Sequence, residues 1–122
     1  MKHKGAYPPE WKAIADRVKA EARNRCIRCH HGNSREGWRI LTVHHLDGDK
    51  SNCRWWNLLA LCQRCHLTIQ AKVDPHTPYM LEHAEWFKPY VAGFYAFKYL
   101  KQDISRDAAI ERMAELLALE LV

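Results

Sequence analysis

Two Cys-x-x-Cys pairs, Cys26/Cys29 and Cys62/Cys65, bracket 32 residues of a 122-residue chain. Such a pair can turn both thiolates onto one ion through a tight knuckle, and structural zinc takes four ligands tetrahedrally. Two knuckles therefore predict one closed four-thiolate zinc site that staples together whatever lies between them. The gap between the pairs is longer than in common zinc ribbons, so the staple encloses a sizeable insert. Disulfides, the other use of paired cysteines, belong to oxidising compartments. No charged-then-apolar leader opens the chain at Met1-Lys-His-Lys, so a reducing, cytoplasmic setting is expected. Cys53 is left over in a polar stretch and is read as a small side chain of no assigned role.

The length suits one domain, and 48% apolar with 27% charged residues is the composition of an ordinary globule with one core. Residues 1–40 hold ten Lys/Arg against four Asp/Glu, residues 41–72 four against two, and residues 73–122 five against eight. The net charge of +5 is therefore concentrated at the front, which points to a polyanion partner there and to packing in the tail; a plain solvated basic surface is the competing reading.

Local patterning divides the chain into three parts. Residues 1–25 form a basic N-terminal helix: Pro8-Pro9-Glu10 opens it, Trp11, Ile14, Ala15, Val18 and Ala22 make a stripe expected to be buried, and Lys12, Arg17, Lys19 and Arg23 occupy the other faces. The chain stays basic through Arg25, Arg28, Arg35 and Arg39. Residues 26–72 form the stapled core. Arg39–His45 is rich in β-branched and aliphatic residues and reads as a strand. Asp47–Asn52 is turn chemistry containing Lys50. Asn57–Leu61 is a returning strand, and a helix runs from near Cys62 to about Lys72. Residues 73–122 are a connector with two prolines followed by two or three helices. Pro89 starts or kinks one of them, and Ser105 caps the last, whose stripe is Ile110, Met113, Ala114, Leu117 and Leu121. The aromatic stretch from Tyr79 to Leu100 is broken by Glu82, Glu85, Lys88 and Lys98, and its longest apolar part, Pro89 to Phe97, is too short to span a bilayer. The fold class expected is α+β.

With the thiols assigned to zinc, the histidines need a separate explanation. His66 follows Cys65 and is turned about 100° from it on the helix, so it points away from the zinc and is free for a second ion. His44 and His45 end a strand; strict alternation sends them to opposite faces, while a bend at the strand end lets both approach one phosphate. His30 and His31, directly after Cys29, are second-choice ligands or phosphate contacts.

The run Thr42-Val-His44-His45-Leu-Asp47-Gly48-Asp49-Lys50-Ser-Asn52, followed by Asn57-Leu-Leu-Ala-Leu-Cys62-Gln-Arg-Cys65-His66, resembles the HNH endonuclease motif, the ββα-metal nuclease site. The resemblance covers about residues 26–70. It implies that His45 is the general base, that His44 and His66 hold a catalytic divalent ion (Mg, Mn, Ni or Zn), and that Asn57 bonds backbone to hold the loop that orients His45. It also implies that Cys26, Cys29, Cys62 and Cys65 match the structural zinc of the family's four-cysteine branch. The activity implied is hydrolysis of phosphodiester bonds in duplex DNA, leaving 5′-phosphate and 3′-hydroxyl ends. Lys12, Lys19, Arg23, Arg28, Arg39 and Lys50 are then expected to contact nucleic acid, and Gln70, one turn after His66, to touch the phosphate or the hydrated metal.

Other motifs are discounted. Asp47-x-Asp49-x-Ser51 opens like a calcium loop, but Asn52 stands at the sixth position where glycine is needed and Leu58 at the twelfth where glutamate is needed. Trp38, Trp55 and Trp56 are read as core caps before base-stacking platforms. A zinc-stapled nucleic-acid-binding module that does not cut is the alternative function. The C-terminal helices are expected to brace the core, extend the DNA contact, form a homodimer, or dock a phage packaging or restriction partner.

Overall fold

A leucine, two β-branched residues and two histidines form β1 (Leu41–His45), which pairs antiparallel with the apolar β2 (Leu58–Cys62) in a two-stranded sheet. The register sets Leu41 opposite Cys62, Thr42 opposite Leu61, His44 opposite Leu59 and His45 opposite Leu58. Backbone bonds from Leu46 to Asn57 and from Gln63 to Ile40 extend the ladder past both ends. The computed structural model describes residues 6–34, 39–72 and 85–121. Trp38, Arg35 and the connector with its prolines, on which sequence-based expectations were also placed, lie outside them. Among the described residues the architecture is small α+β: the sheet, five α-helices and a four-cysteine cluster.

Helix α1 (Trp11–Glu21) follows the two prolines, with the Trp11 amide bonded to the Pro8 carbonyl. Its expected stripe turns toward the sheet, but Trp11, Ile14, Ala15, Val18 and Ala22 are half-buried and α1 has no fully buried residue. Val18 of α1 and Ala22 just past it face a cleft of about 190 Å³, lined also by Arg17, by Leu58 and Ala60 of β2 and by Tyr90, which leaves them only partly covered. Arg23 and Asn24 then adopt left-handed backbone at φ 56° each, ending α1 and turning the chain into the first cysteine knuckle.

The core gathers around β2, with Val18 and Ala22 from the α1 side packed against it. β2 is buried at all five residues, as befits a strand covered on both faces, and packs with Leu41, Leu46, Trp56, Ile69, Phe87, Tyr90, Val91 and Tyr95. Helix α2 (Gln63–Lys72) leaves β2 without a loop. Helix α3 (Lys88–Leu100) takes Pro89 in its first turn, where the missing amide proton costs nothing, and ends at Lys101 in left-handed conformation. It lies on Trp55 and Trp56, with Gly93 at the closest approach.

The last segment departs from expectation. One helix with a stripe at Ile110, Met113, Ala114, Leu117 and Leu121 was expected. The chain instead forms α4 (Arg106–Glu111), α5 (Met113–Leu117) and a 3-10 turn (Ala118–Leu121), broken where Arg112 leaves helical geometry at φ −101°. Ser105 does cap α4, accepting the Ala108 amide at 3.1 Å. Its buried face is Ala109 and Leu116, packed on Ala92 and Ala96 of α3, while Ile110 is exposed. Small alanines on both sides let the helices approach closely, and that selects a face a count of large apolar residues does not find. Among the described residues no helix is long and apolar enough to cross a membrane.

Candidate functional site

The cysteine cluster is built from both ends of the staple. Arg25 pairs with Gly32, and between them the Cys29 amide bonds the Cys26 sulfur at 3.4 Å while the His30 amide bonds the Cys26 carbonyl. A hydrogen bond from Ile27 to the Ala60 carbonyl lays this knuckle against β2, whose last residue is Cys62; Cys65 follows on the first turn of α2. All five cysteines are free thiols. The sulfurs of Cys26, Cys29, Cys62 and Cys65 lie within 4.8 Å of one another, with Cys29 to Cys62 at 3.7 Å. Four sulfurs about 2.3 Å from a tetrahedral centre would stand about 3.8 Å apart. The cluster could therefore hold a metal ion such as zinc, and among the described residues it is the one group of three or more ligands. Burial, with Cys62 and Cys26 adding to it, pushes the Cys65 thiol up to about 12, while the Arg28 guanidinium, donating to that sulfur at 3.6 Å, opposes the rise. Four thiolates carry more charge than a divalent ion, and Arg28 offsets part of the excess.

A second constellation sits on the sheet beside α2. Thr42 and His44, two apart on β1, share a face. The His44 ring lies 4.3 Å from the His66 ring, centroid to centroid, and the Thr42 hydroxyl stands 3.0 Å from His66 Nδ1. His45 is turned toward the N-terminal segment: its ring lies 4.7 Å from the Trp11 ring and 5.8 Å from Tyr7, and Tyr7 stacks on Trp11. Both histidines nevertheless line one cleft of about 110 Å³, together with Tyr7, Val43, Gly48, Lys50, His66 and Gln70.

Burial sets the electrostatics of this cleft. It lowers the pKa of His44 to about 3, with the neighbouring His66 and His45 pushing the same way. Burial also lowers His66 and His45, though Asp47 and Asp49 partly restore the latter. All three imidazoles are therefore neutral at neutral pH, the state in which a ring nitrogen can bind a cation or take a proton. The Nε2 atoms of His44 and His45 are buried without a hydrogen-bond partner among the described residues. Buried polar atoms are rarely left so. For His45, a backbone hydrogen bond at Lys50 is the smallest of the influences that raise its pKa.

Asn57, fully buried, ties the loop behind His45. Its side chain accepts the Asp47 amide at 3.1 Å and donates to Asp47 Oδ1 and to the Asn52 carbonyl, both at 2.9 Å. Asp47 in turn accepts from the Asp49 amide and from the Asn52 side chain. From below, Trp55 donates to the Ile104 carbonyl at 2.9 Å, and Arg54 pairs with Asp103 while lying over Phe97. Helix α3 and the loop that follows it thus hold the 3-10 turn (Trp55–Asn57) that carries Asn57.

Of the basic and polar residues singled out in the sequence, Lys50 and Gln70 line the histidine cleft. Lys12 is exposed and paired with Asp16 on α1, Arg28 lies at the cysteine cluster, and Lys19, Arg23 and Arg39 are absent from the cleft lining. His31 bonds the Gly32 carbonyl and stands outside the four-cysteine group. Three residues at the cleft escaped sequence reading. Thr42 carried a usable signal, its position two before His44 on one strand face; Tyr7 and Trp11 carried none, since only the path of α1 brings them to His45.

Comparison of the chain with protein-family models, with curated proteins and with solved structures finds no match in any of the three.

Proposed function

We propose that the chain is a metal-dependent DNA endonuclease of HNH type. The observation that carries this reading is the cleft itself, where three neutral imidazoles meet, two of them with buried, unpartnered Nε2 atoms, at a mouth flanked by Lys50 and Gln70. In this reading the four cysteines hold a structural zinc. His44 and His66 are the protein ligands of a divalent ion (Mg, Mn, Ni or Zn), and the orphaned Nε2 of His44 beside the His66 ring fits that role. Such an ion would neutralise charge on the phosphate and on the departing oxygen.

His45 acts as general base. Its Nε2 accepts a proton from water as the water oxygen attacks phosphorus, and the bond to the 3′-oxygen breaks, that oxygen taking a proton from solvent, to leave 5′-phosphate and 3′-hydroxyl ends. In this reading a backbone bond at Lys50 would hold the Nδ1 proton and leave the unpartnered Nε2 as the base. Asn57 fixes the loop that contains Lys50. Trp11 and Tyr7 pack against the His45 ring. Lys50 is positioned for phosphate, and a basic front half favours duplex DNA as partner.

The test is a supercoiled-plasmid assay in Mg, Mn, Ni and Zn with wild type and His45→Ala. Cutting by wild type that falls at least about hundredfold in the variant is expected, the scale of a lost general base. Equal, background-level cutting by both in every metal, with DNA binding retained, would establish instead a non-cleaving nucleic-acid-binding module, the reading favoured by the cysteine cluster and basic charge alone.

A further inference from the structure

We infer that Thr42 is a positioning residue that fixes the tautomer of His66 and so presents His66 Nε2 as a lone pair in the cleft. The inference deepens the proposed function and rests on His66 being a metal ligand. It follows from counting protons. The Thr42 Oγ1 lies 2.8 Å from the Leu61 carbonyl oxygen and 3.0 Å from His66 Nδ1. A carbonyl oxygen only accepts, so the single hydroxyl proton goes to Leu61. The hydroxyl oxygen then has only lone pairs to offer His66, and the contact is a hydrogen bond only when Nδ1 carries the proton. In a neutral imidazole the other nitrogen, Nε2, is then unprotonated.

The placement gives this relay a purpose beyond satisfying a threonine. Thr42 and His44 stand on one face of β1, so the residue that orients one candidate ligand is built into the strand that carries the other. Leu61, which takes the hydroxyl proton, sits opposite Thr42 in the ladder and directly before Cys62 of the cysteine cluster. The His66 ring is thereby referenced to the stapled sheet as well as to its own helix. Outer partners of this kind set ring orientation and ligand basicity at metal-binding histidines. A threonine that merely filled its strand position would be replaceable by valine, which has the same shape and no hydroxyl.

The test uses the zinc-loaded full chain. Two-bond proton–nitrogen correlation spectra of wild type should show His66 protonated at Nδ1, a measurement that needs no variant and no catalysis. Titration calorimetry with Ni²⁺ should then show affinity about tenfold or more weaker in Thr42→Val than in wild type, and within about twofold of wild type in Thr42→Ser, which keeps the hydroxyl. His66 found protonated at Nε2 in wild type, no Ni²⁺ binding by wild type, or unchanged affinity in a folded Thr42→Val would each overturn the inference. Wild type that shows the Nδ1 tautomer and the Val/Ser pattern yet cuts no DNA would sink the nuclease reading and leave the positioning role standing. Wild type that cuts while Thr42→Val binds Ni²⁺ equally well would do the reverse.

Discussion

Asn57 and Asp47 close the loop after β1 by a reciprocal pair of hydrogen bonds, the Asp47 amide to Asn57 Oδ1 at 3.1 Å and Asn57 Nδ2 to Asp47 Oδ1 at 2.9 Å. Because Nδ2 also holds the Asn52 carbonyl, one fully buried amide fixes three points of the loop beside His45. Asn57→Ala strands that amide, carboxylate and carbonyl together, and the expected loss is about 2–4 kcal/mol. Asn57→Asp keeps the acceptor but sets a second carboxylate against Asp47, so it should not rescue. Urea denaturation measures the loss, and hydrogen exchange at the Asp47 amide should rise in both variants.

Metal at the cysteine cluster should be integral to folding. Elemental analysis is expected to find one zinc per chain, with Cys62→Ser or a strong chelator removing both the metal and the far-ultraviolet circular dichroism of the fold, because small sites couple ligation to folding. A reduced, folded sample with no bound metal would contradict this.

Gly93 sets the fit of α3 on the 3-10 turn Trp55–Asn57. A Cβ built there stands 2.5 Å from Trp55 Cζ2 and 3.1 Å from Trp56 Cβ, and the Trp55 ring cannot swing aside without giving up its bond to Ile104. Gly93→Ala should destabilise by about 1–3 kcal/mol through overpacking. Thermal melting reads the effect; an unchanged midpoint would mean that the helix does not lie on Trp55.

Acid should destabilise the protein through His44. His44 has a folded pKa of about 3 against an ordinary 6.5, so between those values the unfolded chain binds the extra proton. Stability from this group is complete above pH 6.5 and falls as pH drops, by at most about 1.4 kcal/mol per unit. Denaturation midpoints at pH 7 and pH 5 should differ more in wild type than in His44→Gln, and equal differences would dismiss the mechanism.

Trp11 should depress the His45 pKa, since burial is the main cause of its lowering and the indole is a large part of what covers the ring. Trp11→Ala is expected to raise that pKa toward the ordinary value. Proton resonances of His45 followed through a titration would show the change, and a pKa that stays put would assign the burial to the sheet alone.

The order strand, polar loop, strand, helix was legible because each element rests on neighbours a few residues apart: β-branched Thr42 and Val43, the turn-forming Asp47–Asn52 run, and the Leu58–Leu61 stretch leading into Cys62. The paired cysteines were legible for the same reason, a three-residue spacing that serves one ion. The division of the last segment at Arg112, and its burial through Ala109 and Leu116, were not, because the alanines of α3 that receive them lie more than a dozen residues away.

Short-range chemistry in the sequence determined the parts of this protein: which thiols share a knuckle, where the chain pairs with itself, and which imidazoles stand near its turn. Only the tertiary structure decided what surrounds those imidazoles. The approach of α1 brings Trp11 and Tyr7 onto His45, and the register of β1 on β2 spends the Thr42 proton on Leu61 and turns His66 Nδ1 toward the hydroxyl. Burial and hydrogen-bond direction arise from contacts between distant segments, and these are the terms that set a histidine's protonation.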